Sequence, residues 1–263
     1  MTVTQETTHT ELTLAGEVAT VCLRNAKTVN VLGREAIAEL TEVFRALGER
    51  SDVRVIVFRG SGDKAFIGGA NIHEMAELDP EMARSFIRGL MDLGETIRSV
   101  PQPVIARMAG WCLGGGLEMA VACDLRVADS GAQMGMPEVA VGIPSVIHSV
   151  LIPQLIGRGR ASQLLMTAEP ISAHKALGWG LVDAVVELDD LDREILRWAD
   201  KYLAIGGEVL AQQKRLMNGW DELTTSEAME QSVTAFSEAY KTGQPQRLMS
   251  EFANRKRTGS SAT

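Results

Sequence analysis

Residues 103–128 read PVIARMAGWCLGGGLEMAVACDLRVA. Pro103 to Met108 is a short, mostly apolar run of strand character. Gly114-Gly115-Gly116 then leads into Leu117 to Cys123, a stretch apolar at every position except Glu118, which reads as a buried helix. Strand character resumes from Leu125 to Ala128. A strand, a glycine turn, a helix and a second strand in that order predict an α/β core.

The same alternation extends towards the N-terminus. Glu11 to Leu14 and Val18 to Leu23 read as two strands turned at Ala15-Gly16. Gly33 opens a segment with Ile37, Leu40, Phe44 and Leu47 at helical spacing. Val53 to Phe58 is nearly all apolar and β-branched, as in a strand covered on both faces. Gly60 to Gly69 reads as a glycine-rich loop. Asp79-Pro80 starts a helix with Pro at its first position, continued by Phe86, Leu90, Leu93 and Ile97. The first ten residues, rich in Thr and Gln, read as a loose tail. After Pro144 helices dominate. Thr224 and Glu227 spell a capping box ahead of Met229, Val233, Phe236 and Tyr240. Leu248 and Phe252 sit four apart on a last helix, and Gly259 to Thr263 is expected to fray.

Composition narrows the function classes. With 263 residues, 45% hydrophobic and 23% charged, the chain has the make-up of a soluble globular domain, not of a disordered or collagen-like one. The net charge of −8 disfavours general nucleic-acid binding, which needs a basic surface. Three unpatterned cysteines, Cys22, Cys112 and Cys123, point to a reducing compartment. No secretory signal and no membrane-length apolar run is evident, so the expected location is the cytoplasm, with no membrane partner.

Several familiar patterns fail on inspection. Gly60-Ser61-Gly62 and Ala65 form G-x-G-x-x-A after a strand, but Phe66-Ile67-Gly68-Gly69 follows instead of a helix. Glu81, where a dinucleotide fold needs a ribose-binding acid, lies in a predicted helix. The segment therefore reads as a glycine turn. His9, His73, His148 and His174 are scattered without ligand spacing, so no metal site is expected. A G-x-S-x-G elbow is absent. Cys112 has no histidine near it in sequence and reads as an inert buried thiol.

Two glycine sites remain. Gly68-Gly69-Ala70-Asn71 precedes a short helix from Ile72 to Met75, and Gly114-Gly115-Gly116 precedes the helix at Leu117. Each offers free N–H groups at a helix start, where glycine lets a ligand approach the backbone. Each cluster alone is equally what tight packing requires. Glu118 lies in the first turn of an apolar helix and Glu138 follows Pro137 among apolar residues. Burial would tune both acids towards proton transfer, although an acid in a first helical turn is also an ordinary dipole partner.

Taken together, the chain resembles the crotonase, or enoyl-CoA hydratase/isomerase, superfamily from about Glu11 to Arg257. The resemblance is carried by Asn30-Val31-Leu32, by Val53 to Gly60, by Ala65 to Met75, by Gly110 to Asp124, by Met136-Pro137-Glu138 through Gly142-Ile143-Pro144, and by Ala173 to Val186. It implies an α/β fold: a crotonase-like ββα spiral core with a helical C-terminal trimerisation region. The implied organisation is a flexible tail over 1–10, the core over 11–200, a helical region over 201–257 and a tail over 258–263.

The resemblance further implies an acyl-CoA thioester as substrate, no separate cofactor, and a homotrimer or dimer of trimers. Ala70 and Gly115 are the implied N–H donors to the thioester oxygen, and Glu118 and Glu138 the acid/base pair. Substrate contacts are implied at Lys27, Val29, Ala65, Gly69, Asn71, Ile72, Trp111, Gly114, Pro137, Ser145, Phe252 and Arg255. Retention of both glutamates points to a hydratase, with isomerase, hydratase-lyase and thioester hydrolase as the alternatives. An inactive scaffold or RNA-binding relative is disfavoured by those glutamates and the acidic charge. The chain departs from the family pattern at Asn25-Ala26, at Asn71 and at Ser145, where a glycine is common.

Overall fold

In the computed structural model, residues 2–24 and 29–259 are described, with side chains as far as Asn254. The chain divides into two compact units, Met1–Gly207 and Glu208–Thr263. The first contains thirteen strands among the described residues. They are β1 (Thr2–Glu6), β2 (Thr10–Ala15), β3 (Val18–Leu23), β4 (Val31–Leu32), β5 (Val55–Gly60), β6 (Ala65–Ile67) and β7 (Gly69–Ala70). They continue with β8 (Val104–Met108), β9 (Trp111–Leu113), β10 (Leu125–Asp129), β11 (Gln133–Gly135), β12 (Ile171–Ser172) and β13 (Ala184–Val186). The helices that matter for the site are α1 (Arg34–Gly48), α2 (Ile72–Met75), α3 (Pro80–Ser99) and α4 (Gly115–Ala122).

A large sheet runs β1-β2-β3-β5-β8-β10-β13, antiparallel from β1 to β3 and parallel beyond. A smaller sheet runs β12-β11-β9-β6, and β4 pairs with β7. The chain places one strand in the large sheet and the next in the small one: β5 then β6, β8 then β9, β10 then β11. Helices α2 and α4 follow the first two of these steps. This is the ββα spiral. The central parallel strands β5, β8 and β10 are buried on both faces at nearly every position, as parallel sheets require. Along β5, Ile56 and Phe58 join the main core with Phe44 and Phe66, while Val55 and Val57 face the other way onto Leu191, Ile195 and Ala199. The rings of Phe44, Phe58 and Phe66 meet edge to face at centroid distances of 5.2 Å.

The structure corrects three expectations. Residues 1–10 are not a loose tail throughout, because Thr2–Glu6 pair with Glu11–Ala15 as an exposed edge strand. Polar Thr and Gln residues suited that exposure and masked the backbone pairing. The 60–69 segment is not simply a loop either; it carries β6, buried at all three positions. The core extends past residue 200, since the Leu191–Leu203 helix packs under the large sheet and the division falls after Gly207. The second unit is helical as expected, and Thr224 and Glu227 do form the reciprocal capping box.

Close approach of α4 to β6 rests on Gly116, where a Cβ would lie 2.3 Å from the Ile67 carbonyl oxygen. Gly116→Ala is therefore expected to destabilise by about 1–3 kcal/mol or more through overpacking. Gly178→Ala, in an open helical position, is expected to stabilise by up to ~1 kcal/mol. Urea unfolding of the two variants should give shifts of opposite sign.

Candidate active site

Helices α2 and α4 start side by side. In β7, the Asn71 N–H that follows it donates to the Leu32 carbonyl at 2.9 Å. Successive N–H groups alternate in direction along extended chain, which turns the Ala70 N–H to the opposite side. In α4, the first i→i+4 bond is Glu118 N–H to Gly114 carbonyl, 3.0 Å. The N–H groups of Gly115, Gly116 and Leu117 precede it and have no acceptor within the helix. A Cβ placed on Gly115 would lie 3.9 Å from the Ala70 nitrogen, so the two starts converge.

They open on a cavity of about 140 Å³ lined by Ala70, Gly115, Glu118 and Glu138, with Gly69, Ile72, Gly114 and Pro137 around them. Apolar side chains from α3, Phe86, Ile87 and Leu90, form one wall. Val141, Ile143 and Val146 form another. Among the described residues, Glu118 and Glu138 are the only ionisable groups of the lining, and no group of three or more His, Cys, Asp or Glu is placed to hold a metal ion.

The two carboxyls sit in different surroundings. Glu118 is 3% exposed, and burial pushes its pKa up to about 8, against the single backbone N–H of Ser149 that donates to Oε1 at 3.1 Å. The nearby Glu138 charge pushes in the same direction as burial. Glu138 opens a 3₁₀ turn, Glu138–Val141, and its pKa is also raised by burial. It is held down by its own backbone N–H and by the Ser145 hydroxyl, which donates to Oε2 at 3.0 Å. Gly114 makes room for it: its φ is +52°, and a Cβ there would lie 2.5 Å from Glu138 Oε1.

Not every expected contact lies at the cavity. Val29, Ala65, Asn71 and Trp111 are outside its lining. Ala65 and Trp111 pair in the small sheet, and the Val29 carbonyl accepts from Gly68 N–H. The Asn71 carboxamide caps α2 by accepting from His73 N–H at 3.2 Å and donating to Glu74 at 2.7 Å. Phe252 belongs to the second unit. Lys27 and the Arg255 side chain lie outside the described residues. Cys112 is fully buried and its thiol is pushed well above the ordinary range by that burial, as befits an inert core group. Sequence reading overlooked the Ser149 N–H, because a backbone donor leaves no mark on residue type. Phe86 and Leu90 were visible only as a helical apolar stripe.

The chain matches the family model described as enoyl-CoA hydratase/isomerase over residues 13–259. It is 32% identical over 242 residues to a crotonyl-CoA hydratase of Syntrophomonas wolfei, covering 92% of this chain and 93% of that one. It is 36% identical over 186 residues to an (E)-benzylidenesuccinyl-CoA hydratase of Thauera aromatica, covering 69% and 72%. Its structure is similar to that of an enoyl-CoA hydratase from Thermoplasma volcanium, with a TM-score of 0.84 and 32% identity over 89% of this chain and 93% of that one.

The raised Glu118 pKa has a consequence for stability. The folded state keeps a proton that the unfolded chain loses near 4.5, so stability present below pH 4.5 is lost as pH rises towards about 8. Glu118→Gln, which cannot ionise, is expected to raise the melting temperature relative to the parent by an amount that grows across that window and levels off above it. Melting curves from pH 4 to 9 test this; a difference independent of pH would contradict it.

Proposed function

The chain belongs to the enoyl-CoA hydratase/isomerase family, and on that premise we propose that it adds water across the 2,3 double bond of an enoyl-CoA thioester and catalyses the reverse dehydration. The observation that carries this reading is the pairing of a buried carboxyl, Glu118, with a half-buried one, Glu138, in one apolar cavity beside two convergent helix starts. The thioester oxygen accepts from the N–H groups of Ala70 and Gly115. Those donors stabilise the negative charge that develops on this oxygen as the enolate forms, and losing one typically costs ~10²–10³ in rate. The substrate water lies between the two carboxyls. As its oxygen bonds to C3, one carboxylate takes its proton, and a carboxyl proton goes to C2. The pair ends with the proton count it began with and acts as a coupled unit.

The cavity's remaining walls specify the acyl group. They are apolar and offer no cation among the described lining residues, which favours an uncharged hydrocarbon chain. Val29, Ala65 and Trp111, beyond the cavity, are assigned to the CoA arm. Lys27, Phe252 and Arg255 are assigned to its adenine and phosphate end, the last two reaching a neighbouring copy. A homotrimer, alone or paired, is supported by Met229, Val233 and Phe236, exposed along one face of the Thr225–Ala239 helix.

Loss of the enoyl thioester absorbance on adding the protein to crotonyl-CoA tests the activity directly; no loss at micromolar protein would refute it. Glu118→Gln and Glu138→Gln are each expected to lower kcat by at least ~10², since the amide keeps the shape but exchanges no proton. Near-parental turnover in either folded variant would remove the two-acid mechanism. Ser145→Ala removes a donor to the Glu138 carboxylate, so Glu138 should bind its proton more tightly. The limb of the pH–rate profile that reports Glu138 is expected to move to higher pH, and an unmoved profile would mean that the hydroxyl is only structural.

A further inference from the structure

The residue before His148 is under backbone strain. Ile147 has a φ of +43°, a conformation that a β-branched side chain adopts only when its surroundings impose it. It begins the 3₁₀ turn Ile147–Leu151, which carries Ser149. The Ser149 N–H is shared between the Val146 carbonyl, at 3.0 Å, and Glu118 Oε1, at 3.1 Å. The Ser149 hydroxyl donates to the same Val146 carbonyl at 2.7 Å. These bonds tighten the turn on itself, but they do not explain what presses it against α4.

His148 does. Its side chain is 4% exposed, and the ring stands over Gly94 of α3. A Cβ at residue 94 would lie 2.3 Å from His148 Cε1, so glycine there creates the slot that the ring fills. Next to Cε1 in the ring, Nε2 lies 2.9 Å from Glu95 Oε1. Burial holds the imidazole below its ordinary 6.5 in spite of Glu95, and the charged groups acting on it are Glu95 and Arg98, both on α3. A neutral ring with its hydrogen on Nε2 therefore donates to Glu95. His148 is absent from the cavity lining and touches no reacting atom.

We propose that His148 is a positioning residue for Glu118: seated in the Gly94 slot and bonded to Glu95, it fixes the strained turn that aims the Ser149 N–H at the Glu118 carboxyl. This rests on the reading of Glu118 as one of the acid/base pair. The chain of contact runs from α3 through His148 to the turn, and from the turn's Ser149 N–H to α4. Without the ring, the turn relaxes at Ile147 and the N–H withdraws. Glu118 then loses its one backbone donor, holds its proton more tightly and drifts from its geometry.

The test pairs a titration with kinetics. Carbon-13 NMR of the Glu118 carboxyl, in the ligand-free protein, reads its protonation without needing turnover. In His148→Leu the Glu118 titration is expected to move to higher pH, with kcat lower by about tenfold or more as geometry is lost and KM within about twofold. His148→Gln, whose amide N–H can still reach Glu95, should restore both. Glu95→Leu should reproduce His148→Leu, and because the Glu95 side chain is 60% exposed it keeps the question decidable if His148→Leu does not fold. An unchanged Glu118 titration in either folded Leu variant overturns the proposal, even if kcat falls, since that is what a merely structural role would give. If the parent protein fails to hydrate crotonyl-CoA, the functional reading falls while the titration still decides the positioning. A shifted titration with kcat unchanged upholds the positioning and takes Glu118 out of the slow step.

Discussion

Helix α4 has no solvent face. All eight of its residues are buried, and Glu118 is its one ionisable side chain. A helix apolar all round must be enclosed by other elements, and here that enclosure is set by how near α4 can come to β6. Gly116 permits contact with the Ile67 carbonyl, and Gly115 leaves the start of α4 beside Leu90 and the Ala70 nitrogen. Two forces then act on Glu118 in opposite directions. The helix dipole favours the carboxylate by roughly 0.3–1 kcal/mol, up to ~2 in a partly buried setting. Burial favours the acid. The rise from 4.5 to about 8 corresponds to roughly 5 kcal/mol, so burial dominates, and an acid that would serve as a simple dipole partner on an exposed helix here holds its proton to much higher pH.

Much of this was legible in residue types. Apolar runs gave β5 and β8, the 3.6-residue period gave α1 and α3, and Thr224 with Glu227 gave a helix start that the structure reproduces. Glu118 and Glu138 stood out because each was a carboxyl in an apolar neighbourhood. The short strands β6, β9 and β11 were not legible. Three residues are too few for a period to emerge, and their strand character comes from pairing with distant segments, Trp111 with both Ala65 and Gln133. The edge strand β1 escaped for the opposite reason: its composition reads as solvent-facing because it does face solvent.

Within the site, side chains were legible and backbone was only partly so. Glycine clusters marked two helix starts, because absence of a side chain is itself a residue type. The Ser149 N–H left no such mark, and neither did the fit between His148 and Gly94, residues 54 apart along the chain by their numbering. Asn71 shows the converse. The family resemblance implied a substrate contact there, and in the structure its carboxamide caps α2 and holds Glu74, whose other oxygen accepts from Arg34 N–H.

The Glu138 side of the cavity completes the asymmetry. Ser145 supplies a hydroxyl to Glu138 Oε2, while Glu118 receives only a shared backbone N–H. A hydroxyl that donates to a carboxylate favours its charged form, and Glu138 is also less enclosed than Glu118. Both differences favour the proton on Glu118 and the charge on Glu138. Two identical side chains thereby meet unlike surroundings, and for the proposed water addition that difference would suit one group to accept a proton and the other to give one. That asymmetry originates in the enclosure of α4 and in the two segments that reach back to it after Pro137, so the chemistry depends on packing between elements far apart in sequence and not on the glutamates by themselves.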